Sequence, residues 1–102
     1  MNIKIFYIYF TVDAYVRATE GQLATLSCST NYIIQFDKVT FGDGYRSQTC
    51  SDPNAATILS PYCEKKNTCS VIVDRKLFPG STCSASITEL FQARWFCRYG
   101  II

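Results

Sequence analysis

The stretch ATEGQLATLSC, residues 18–28, decides how this chain is interpreted. Glu20 and Gly21 form a turn sequence, and from Leu23 onward the residues alternate with the period of a half-buried strand. The stretch ends at Cys28, the first of six cysteines. An even number of cysteines in a small chain indicates a disulfide framework and therefore an oxidising compartment.

Metal binding is the alternative use of these cysteines. The chain contains no C-x-x-C pair and no histidine, so a mixed cysteine–histidine zinc site is disfavoured and zinc held by cysteines alone is left open. We therefore expect the cysteines to pair with one another, and we expect neither a metal nor a cofactor. Six cysteines can pair in about fifteen ways. Their number alone does not choose among these pairings.

The length and composition limit the function classes. A chain of 102 residues corresponds to one domain with a modest core, and a net charge of +2 with scattered basic residues argues against nucleic-acid binding. The chain has no histidine, nucleophile elbow or phosphate-binding loop, so we do not expect an enzyme. Glu20, Asp37 and Asp43 could act as an acid pair in a glycosidase, but so small a chain rarely forms the necessary cleft.

Residues 1–14 have the pattern of a signal peptide. A positive start at Lys4 precedes an apolar and aromatic run at residues 5–10, and positions 12 and 14 are small or apolar. The segment is far shorter than the about twenty apolar residues that span a bilayer. An N-terminal β-strand is the alternative, because the run is rich in strand formers. We expect residues 15–102 to be secreted, without membrane insertion; a fragment of a larger receptor would also explain the short segment.

The rest of the chain predicts one α+β domain, a small antiparallel β-sandwich with one or two short helices, stapled by disulfides. Strands are predicted at residues 15–18, 22–28, 32–36 with an extension at 39–41, 69–73 and 87–96. A helix is predicted with Ser51 or Asp52 as its cap, Pro53 at its first position and an end near Pro61. Residues 74–78 are predicted to form one further helical turn.

Several short motifs follow one another in order over residues 15–97. They are ATEGQL at residues 18–23, LSC at 26–28, Cys63 and Cys69 six residues apart, FP at 78–79 before Cys83, and ARWFC at 93–97. This series resembles the SUEL-type lectin domain, the rhamnose- or galactose-binding domain of egg lectins and of the latrophilin ectodomain. The spacing of the cysteines carries the resemblance more than any single motif does.

The resemblance implies a disulfide pattern. The family typically has eight cysteines, of which the first pairs with the third. In this chain Thr19 stands at the first position, and the third cysteine is absent together with its loop. The six remaining cysteines then imply the pairs Cys28–Cys97, Cys50–Cys83 and Cys63–Cys69.

The resemblance also implies a monosaccharide site built from three motifs. Glu20 is retained from the first motif. The second becomes residues 40–43, in which Phe41 lacks the tyrosine hydroxyl and Asp43 reverses the charge of the arginine. The third becomes residues 81–88, which lack its aspartate, glycine and lysine. The implied sugar-binding residues are Glu20, Thr40, Phe41, Asp43, Ser81 and Thr88.

Three of these residues also have a structural interpretation. Glu20 is equally well placed as the polar corner of a turn, and Gly-Asp-Gly around Asp43 is first of all a turn sequence. Phe41 could stack on the apolar face of a sugar, although a residue of this type more often lies in the core.

We therefore expect a secreted, extracellular domain that binds glycans of the galactose or rhamnose type through a divergent site. The alternative is a lectin-like scaffold used for protein recognition or cell adhesion without sugar binding. A secreted cysteine-rich effector or inhibitor is a third class. Because lectins of this type often gain avidity from tandem domains, a single domain would bind weakly unless it assembles.

Overall fold

The computed structural model describes residues 14–44 and 48–100. These residues form β1 (Ala14–Thr19), β2 (Leu23–Ser27), β3 (Tyr32–Gly42), α1 (Ala55–Cys63), β4 (Thr68–Ile72) and β5 (Leu90–Tyr99). The strands make two antiparallel sheets, β1-β5-β3 and β2-β4. The predicted disulfide-stapled α+β fold is therefore confirmed. Of the predicted signal peptide, residues 1–13 lie outside the described residues, and Ala14 opens β1.

Strand β5 is the centre of the larger sheet and divides its side chains between two faces. Phe91, Ala93 and Trp95 are buried, whereas Gln92 is half-buried and Arg94 is exposed. This alternation is the period of a strand with one face on the core. The strand begins at Leu90 rather than at residue 87, because the preceding residues form a turn in which the N–H of Ile87 donates to the carbonyl of Ser84 at 3.1 Å.

A β-bulge interrupts the pairing of β3 with β5. The register pairs Phe36 with Trp95 and then Lys38 with Arg94, so Asp37 is the extra residue. An extra residue in one strand reverses which side chains face the core beyond it, because the side-chain period of a strand is two.

The bulge determines which side chains of β3 lie on the outer face of the larger sheet. Before the bulge Ile34 is buried, and after it Val39 and Phe41 are buried. Ile34 is an odd number of residues away from both Val39 and Phe41, so a regular strand could not bury all three side chains on one face. As a result Lys38 and Thr40 lie on the outer face, away from the core.

The turn at Glu20 and Gly21 carries the chain from one sheet to the other. Gly21 has a φ of 92°, a conformation that favours glycine. Its N–H donates to the carbonyl of Val73 at 2.8 Å, directly after β4. The strands β1 and β2 flank this turn as predicted, but they belong to different sheets and do not pair with each other.

Helix α1 begins later than predicted. Its N-cap is Asn54, and the first helical residue is Ala55 rather than Pro53. Asp52 is buried, and its carboxylate accepts hydrogen bonds from the N–H of Asn54 at 2.8 Å and from the N–H of Gly80 at 3.0 Å. Asp52 therefore fixes the loop before the helix to a distant loop instead of capping the helix.

The helix also ends later than predicted, because Pro61 lies inside it and the helix continues to Cys63. Leu59 and Cys63 are both fully buried. Residues four apart share one face of a helix, so burial of this face keeps the last turn helical despite the proline. The N–H of Glu64 closes the end by donating to the carbonyl of Ser60 at 2.9 Å.

Residues 74–78 form the predicted single turn. The N–H of Phe78 donates to the carbonyl of Asp74 at 3.0 Å. The carboxylate of Asp74 accepts from the N–H groups of Lys76 at 3.0 Å and Leu77 at 2.9 Å. This turn presents Arg75 towards the end of the larger sheet.

The core joins both sheets, the helix and this turn. At its centre the ring of Phe78 stacks on Phe41 at a centroid distance of 4.7 Å and on Phe91 at 6.0 Å. All three rings are fully buried. Trp95 is also buried, and its indole N–H donates to the carbonyl of Ser27 at 3.2 Å, which ties β5 to the end of β2.

Three disulfides tie the periphery to this core. They join Cys28 to Cys97, Cys50 to Cys83 and Cys63 to Cys69, across 69, 33 and 6 residues of sequence. These are the pairs that the resemblance implies. Within the described residues, no helix has the length and apolar character needed to cross a membrane.

Candidate functional site

Glu20 lies in the turn after β1, and both of its carboxylate oxygens already have partners. Oε1 accepts from the N–H of Glu89 at 2.9 Å, and Oε2 accepts from Nε of Arg75 at 3.0 Å. The N–H of Glu89 and the Arg75 guanidinium lower the pKa of Glu20, against the opposing effect of burial. The side chain is 27% exposed. Glu20 is thus an ionised residue that joins the turn to the start of β5.

Arg75 and Glu89 complete this cluster, and the sequence analysis did not predict either of them as site residues. Arg75 Nε lies 3.1 Å from Oε2 of Glu89, whose side chain is fully buried. Nε carries one proton, which is donated to Glu20, so Glu89 Oε2 is held by charge without a hydrogen bond. Glu89 directly precedes β5, and this position is the only sign in the sequence that its carboxylate is buried. Nothing in the sequence identifies Arg75 as its partner.

The guanidinium of Arg75 also fixes the loop that carries the third predicted motif. Its terminal nitrogens donate to the carbonyls of Cys83 and Ser84 at 3.1 Å each, and to the carbonyl of Ile87. Each nitrogen of the Arg75 guanidinium therefore has a protein acceptor, and the arginine holds the 83–87 loop against Glu20.

Ser81 and Thr88 lie on either side of this loop and differ in their availability. The hydroxyl of Ser81 donates to Oε1 of Glu89 and accepts from the N–H of Cys83 at 3.2 Å. Thr88 is exposed. Ser81 therefore satisfies one oxygen of the buried Glu89 carboxylate, Oε1, whereas Thr88 is open to solvent.

Asp43 organises the loop after β3. Its carboxylate accepts from the N–H of Thr49 at 2.9 Å, from the N–H of Cys50 at 3.3 Å and from the Thr49 hydroxyl. The Thr49 hydroxyl is the main cause that lowers the pKa of Asp43. Asp43 also lies near the sulfur atoms of Cys50 and Cys83, but these are joined in a disulfide and offer no thiolate to a metal.

Phe41 must be removed from the predicted set of sugar-binding residues. Its ring is fully buried and stacks on Phe78. The bulge at Asp37 turns Phe41 inward, so the ring has no surface on which a sugar could stack.

Thr40, the neighbour of Phe41, lies on the opposite face of the strand and lines a cavity of about 340 Å³. We call this cavity the outer groove. It crosses the outer face of the larger sheet, from β1 over β5 to β3. Its lining residues are Tyr15, Lys38, Thr40, Gln48, Gln92, Ala93 and Arg94.

Hydrogen bonds order the polar side chains of the outer groove. The hydroxyl of Tyr15 donates to Oε1 of Gln92 at 2.7 Å, and Nε2 of Gln92 donates to the carbonyl of Gly44 at 3.3 Å. Nε2 of Gln48 donates to the same carbonyl at 2.6 Å. A connected series of hydrogen bonds therefore runs along the groove from β1 to the loop after β3, and it passes through the main-chain carbonyl of Gly44.

The outer groove also carries positive charge. Arg94 pairs with Tyr15 on one side and with Lys38 on the other, so the three side chains form one row across the sheet. Lys38 and Arg94 are both exposed. Over residues 14–44 and 48–100, neither has a carboxylate within ion-pairing distance.

A second cavity, of about 510 Å³, lies between β3 and α1. Glu64 lines it, but its carboxylate accepts from the N–H of Phe36 at 2.9 Å and from the Ser60 hydroxyl at 2.7 Å. One of the two carboxylates that line this cavity is thus occupied by the protein, and the other is that of Asp37. The residues predicted to bind sugar include Thr40 of the outer groove and none that lines this second cavity.

No protein-family model matches the chain, and no curated protein shows significant similarity to it.

Proposed function

We propose that this chain is a secreted carbohydrate-binding domain with a SUEL-type lectin-like scaffold, and that it binds sugar in the outer groove. The observation that carries the proposal is the combination, in one open cavity, of an exposed tyrosine ring with ordered amide and hydroxyl groups. Of the predicted sugar-binding residues, Thr40 belongs to this groove. The proposed function is binding and not catalysis.

The size and lining of the groove suit a saccharide. Its volume of about 340 Å³ falls in the range of small-molecule sites, which run from roughly 300 to 1,000 Å³. Tyr15 is 50% exposed and offers a ring to the apolar face of a sugar. The Thr40 hydroxyl and Oε1 of Gln48 have no hydrogen-bond partner among the described residues and are open to ring hydroxyls. Gln48 and Gln92 each donate one amide N–H to the carbonyl of Gly44 and keep a second N–H for a ligand.

The end of the molecule that carries Glu20 suits a sugar less well. The side-chain oxygen atoms of Glu20, Asp43 and Ser81 already form hydrogen bonds with protein groups. A sugar hydroxyl that displaced one of these bonds would gain little, because a net hydrogen bond contributes only about 0.5–1.5 kcal/mol and the displaced group would lose a similar amount.

The cellular location in this proposal rests on the disulfides. The chain has three disulfides. Disulfides persist in oxidising compartments and are rare in the cytosol. We therefore propose secretion, in agreement with the signal-peptide pattern of residues 1–14.

A glycan-array screen of the oxidised protein tests the function, and two variants test the site. Gln92→Ala removes the residue that links Tyr15 to Gly44 and should abolish the array signal. Gln35→Ala is its matched control, since Gln35 lies on the same face but outside the groove and should leave the signal unchanged.

The same screen separates the two ends of the molecule. A signal lost in Glu20→Ala but kept in Gln92→Ala would assign sugar binding to the turn and not to the groove. A blank array, from protein shown by mass spectrometry to hold three disulfides, would contradict carbohydrate binding altogether.

Protein recognition is a second candidate, favoured by one observation on the smaller sheet. Leu23 and Ile72 face each other across β2 and β4 and are 59% and 49% exposed. Contiguous exposed apolar surface marks a protein contact when it forms a large patch, and these two side chains would be part of such a patch. In this case the double variant Leu23→Ser and Ile72→Ser, and not Gln92→Ala, should abolish attachment of the labelled protein to a cell surface that has been enzymatically deglycosylated.

A further inference from the structure

We infer that the outer groove selects an anionic saccharide, a sugar that carries a carboxylate or a sulfate beside its ring hydroxyls. This inference rests on the proposed function and names its ligand class. The observation that carries it is the row formed by Tyr15, Arg94 and Lys38, which places two cations beside the polar lining of one cavity.

The two cations are available to a ligand. Both side chains are exposed, and in the described part of the chain neither has a carboxylate partner. A guanidinium binds a carboxylate or a sulfate through two parallel hydrogen bonds, and such charged bonds are roughly twice as strong as neutral ones. Arg94 therefore supplies a fork for the anionic group, and Lys38 supplies a second positive charge on the neighbouring strand.

The carboxylates of the described residues are placed so that they do not cancel this charge. Glu20 and Glu89 share Arg75. Four others accept hydrogen bonds from main-chain N–H groups and stabilise turns and loops; they are Asp43, Asp52, Glu64 and Asp74. Asp37, the bulge residue, lines the cavity beside α1 and not the outer groove; Lys38 borders both cavities and forms no ion pair with Asp37. The positive charge of the groove is therefore left for a ligand.

The neutral lining favours a sugar over an acidic peptide. Three neutral polar side chains line the cavity together with the tyrosine ring; they are Thr40, Gln48 and Gln92. Hydroxyl and amide groups match the dense hydroxyls of a sugar ring. The anionic saccharide satisfies both the charge and the neutral groups of the groove.

Isothermal titration calorimetry with three matched sugars tests the inference. The sugars are galactose, galacturonic acid and galactose 6-sulfate, which differ in the anionic group and separate a carboxylate from a sulfate ligand. We expect at least one anionic sugar to bind about tenfold or more tightly than galactose at low salt, and this advantage to shrink as salt is added.

Two double variants of equal charge give the control. Lys38→Gln with Arg94→Gln should remove the preference for the anionic sugar, whereas Lys76→Gln with Arg98→Gln should retain it. Lys76 and Arg98 are also exposed, and neither lines the groove. Each double variant removes two positive charges, so a loss in both would indicate a general charge effect and would overturn the inference.

The remaining outcomes separate this inference from the proposed function. Equal binding of the three sugars, or glycan-array signals from neutral glycans alone, would overturn the anionic ligand and leave carbohydrate binding standing. Competition by poly-glutamate as strong as that by the anionic sugar would also overturn it, in favour of an acidic peptide. A blank glycan array would overturn both proposals.

Discussion

Arg75 Nε lies 3.1 Å from Oε2 of Glu89, a carboxylate with no exposed surface. The same nitrogen lies 3.0 Å from Oε2 of Glu20. One guanidinium thus serves two carboxylates and joins three segments, namely the turn after β1, the turn at residues 74–78 and the entry to β5. This arrangement gives Glu20 a structural role.

Arg75→Met should lower the free energy of unfolding by about 3–5 kcal/mol, because it leaves the buried charge of Glu89 without a partner. Adding Glu89→Gln should recover part of this loss by removing the buried charge. Urea unfolding measures both effects. Lys76→Met on the same turn is the control and should cost little, since Lys76 is exposed. An equal loss with and without Glu89→Gln would contradict the pairing.

Glu20→Gln should reduce stability near neutral pH by about 1 kcal/mol, since the pair with Arg75 is partly screened by solvent. The pKa of Glu20 is lowered from its ordinary value of 4.5, so its contribution is present above that pH and is lost as the pH falls through the lowered folded value. The difference in melting temperature between the two proteins should therefore close in acid. A difference that persists unchanged at the lowest pH would show that the charge of Glu20 is not its cause.

The disulfides should contribute unequally to stability. Replacing both Cys28 and Cys97 by serine removes a disulfide that spans 69 residues and should lower the free energy of unfolding by about 4 kcal/mol. Replacing both Cys63 and Cys69 removes a disulfide that spans 6 residues and should lower it by about 2 kcal/mol. The reason is that a longer closure removes more entropy from the unfolded chain. Denaturant unfolding of the two variants gives the order, and the reverse order would contradict this explanation.

Phe78→Ala should destabilise the protein by about 3–5 kcal/mol, because it empties the space between the rings of Phe41 and Phe91. Tyr62→Ala is the matched control. Tyr62 is 50% exposed, so its replacement should lower the free energy of unfolding by no more than about 0.5 kcal/mol. Thermal unfolding compares the two variants, and a similar loss of stability in both would contradict the central position of the Phe78 ring.

The strands followed from the sequence more closely than the helix did. Alternation at residues 23–28 and the strand-forming composition of residues 87–96 are local properties, so they predicted β2 and β5 to within a few residues. The ends of α1 depend on distant contacts. Asp52 bonds to Gly80, 28 residues away, and burial of Cys63 carries the helix past Pro61. Local capping rules contain neither of these contacts.

The candidate site followed from the sequence only in part. The motif containing Glu20 was visible, but its partner Arg75 is 55 residues away, and the sequence gives no sign of their pairing. Thr40 was predicted from the same motif as Phe41, and the bulge at Asp37 places one outside and the other in the core. The link between Tyr15 and Gln92, 77 residues apart, exists only because β1 and β5 pair.

The sequence by itself determined the size of the domain, the periodicity of its strands and the presence of six cysteines. Length and cysteine content are counted directly from the chain, and strand periodicity depends only on residues that are neighbours in it. Only the tertiary structure decided which side chains are free to meet a ligand. Strand register and the bulge at Asp37 bring Tyr15, Arg94 and Lys38 into one row. The carboxylate of Glu20 stays partly exposed, but it is bonded to Arg75 and to the N–H of Glu89. These positions depend on pairings between distant segments, which no local pattern specifies.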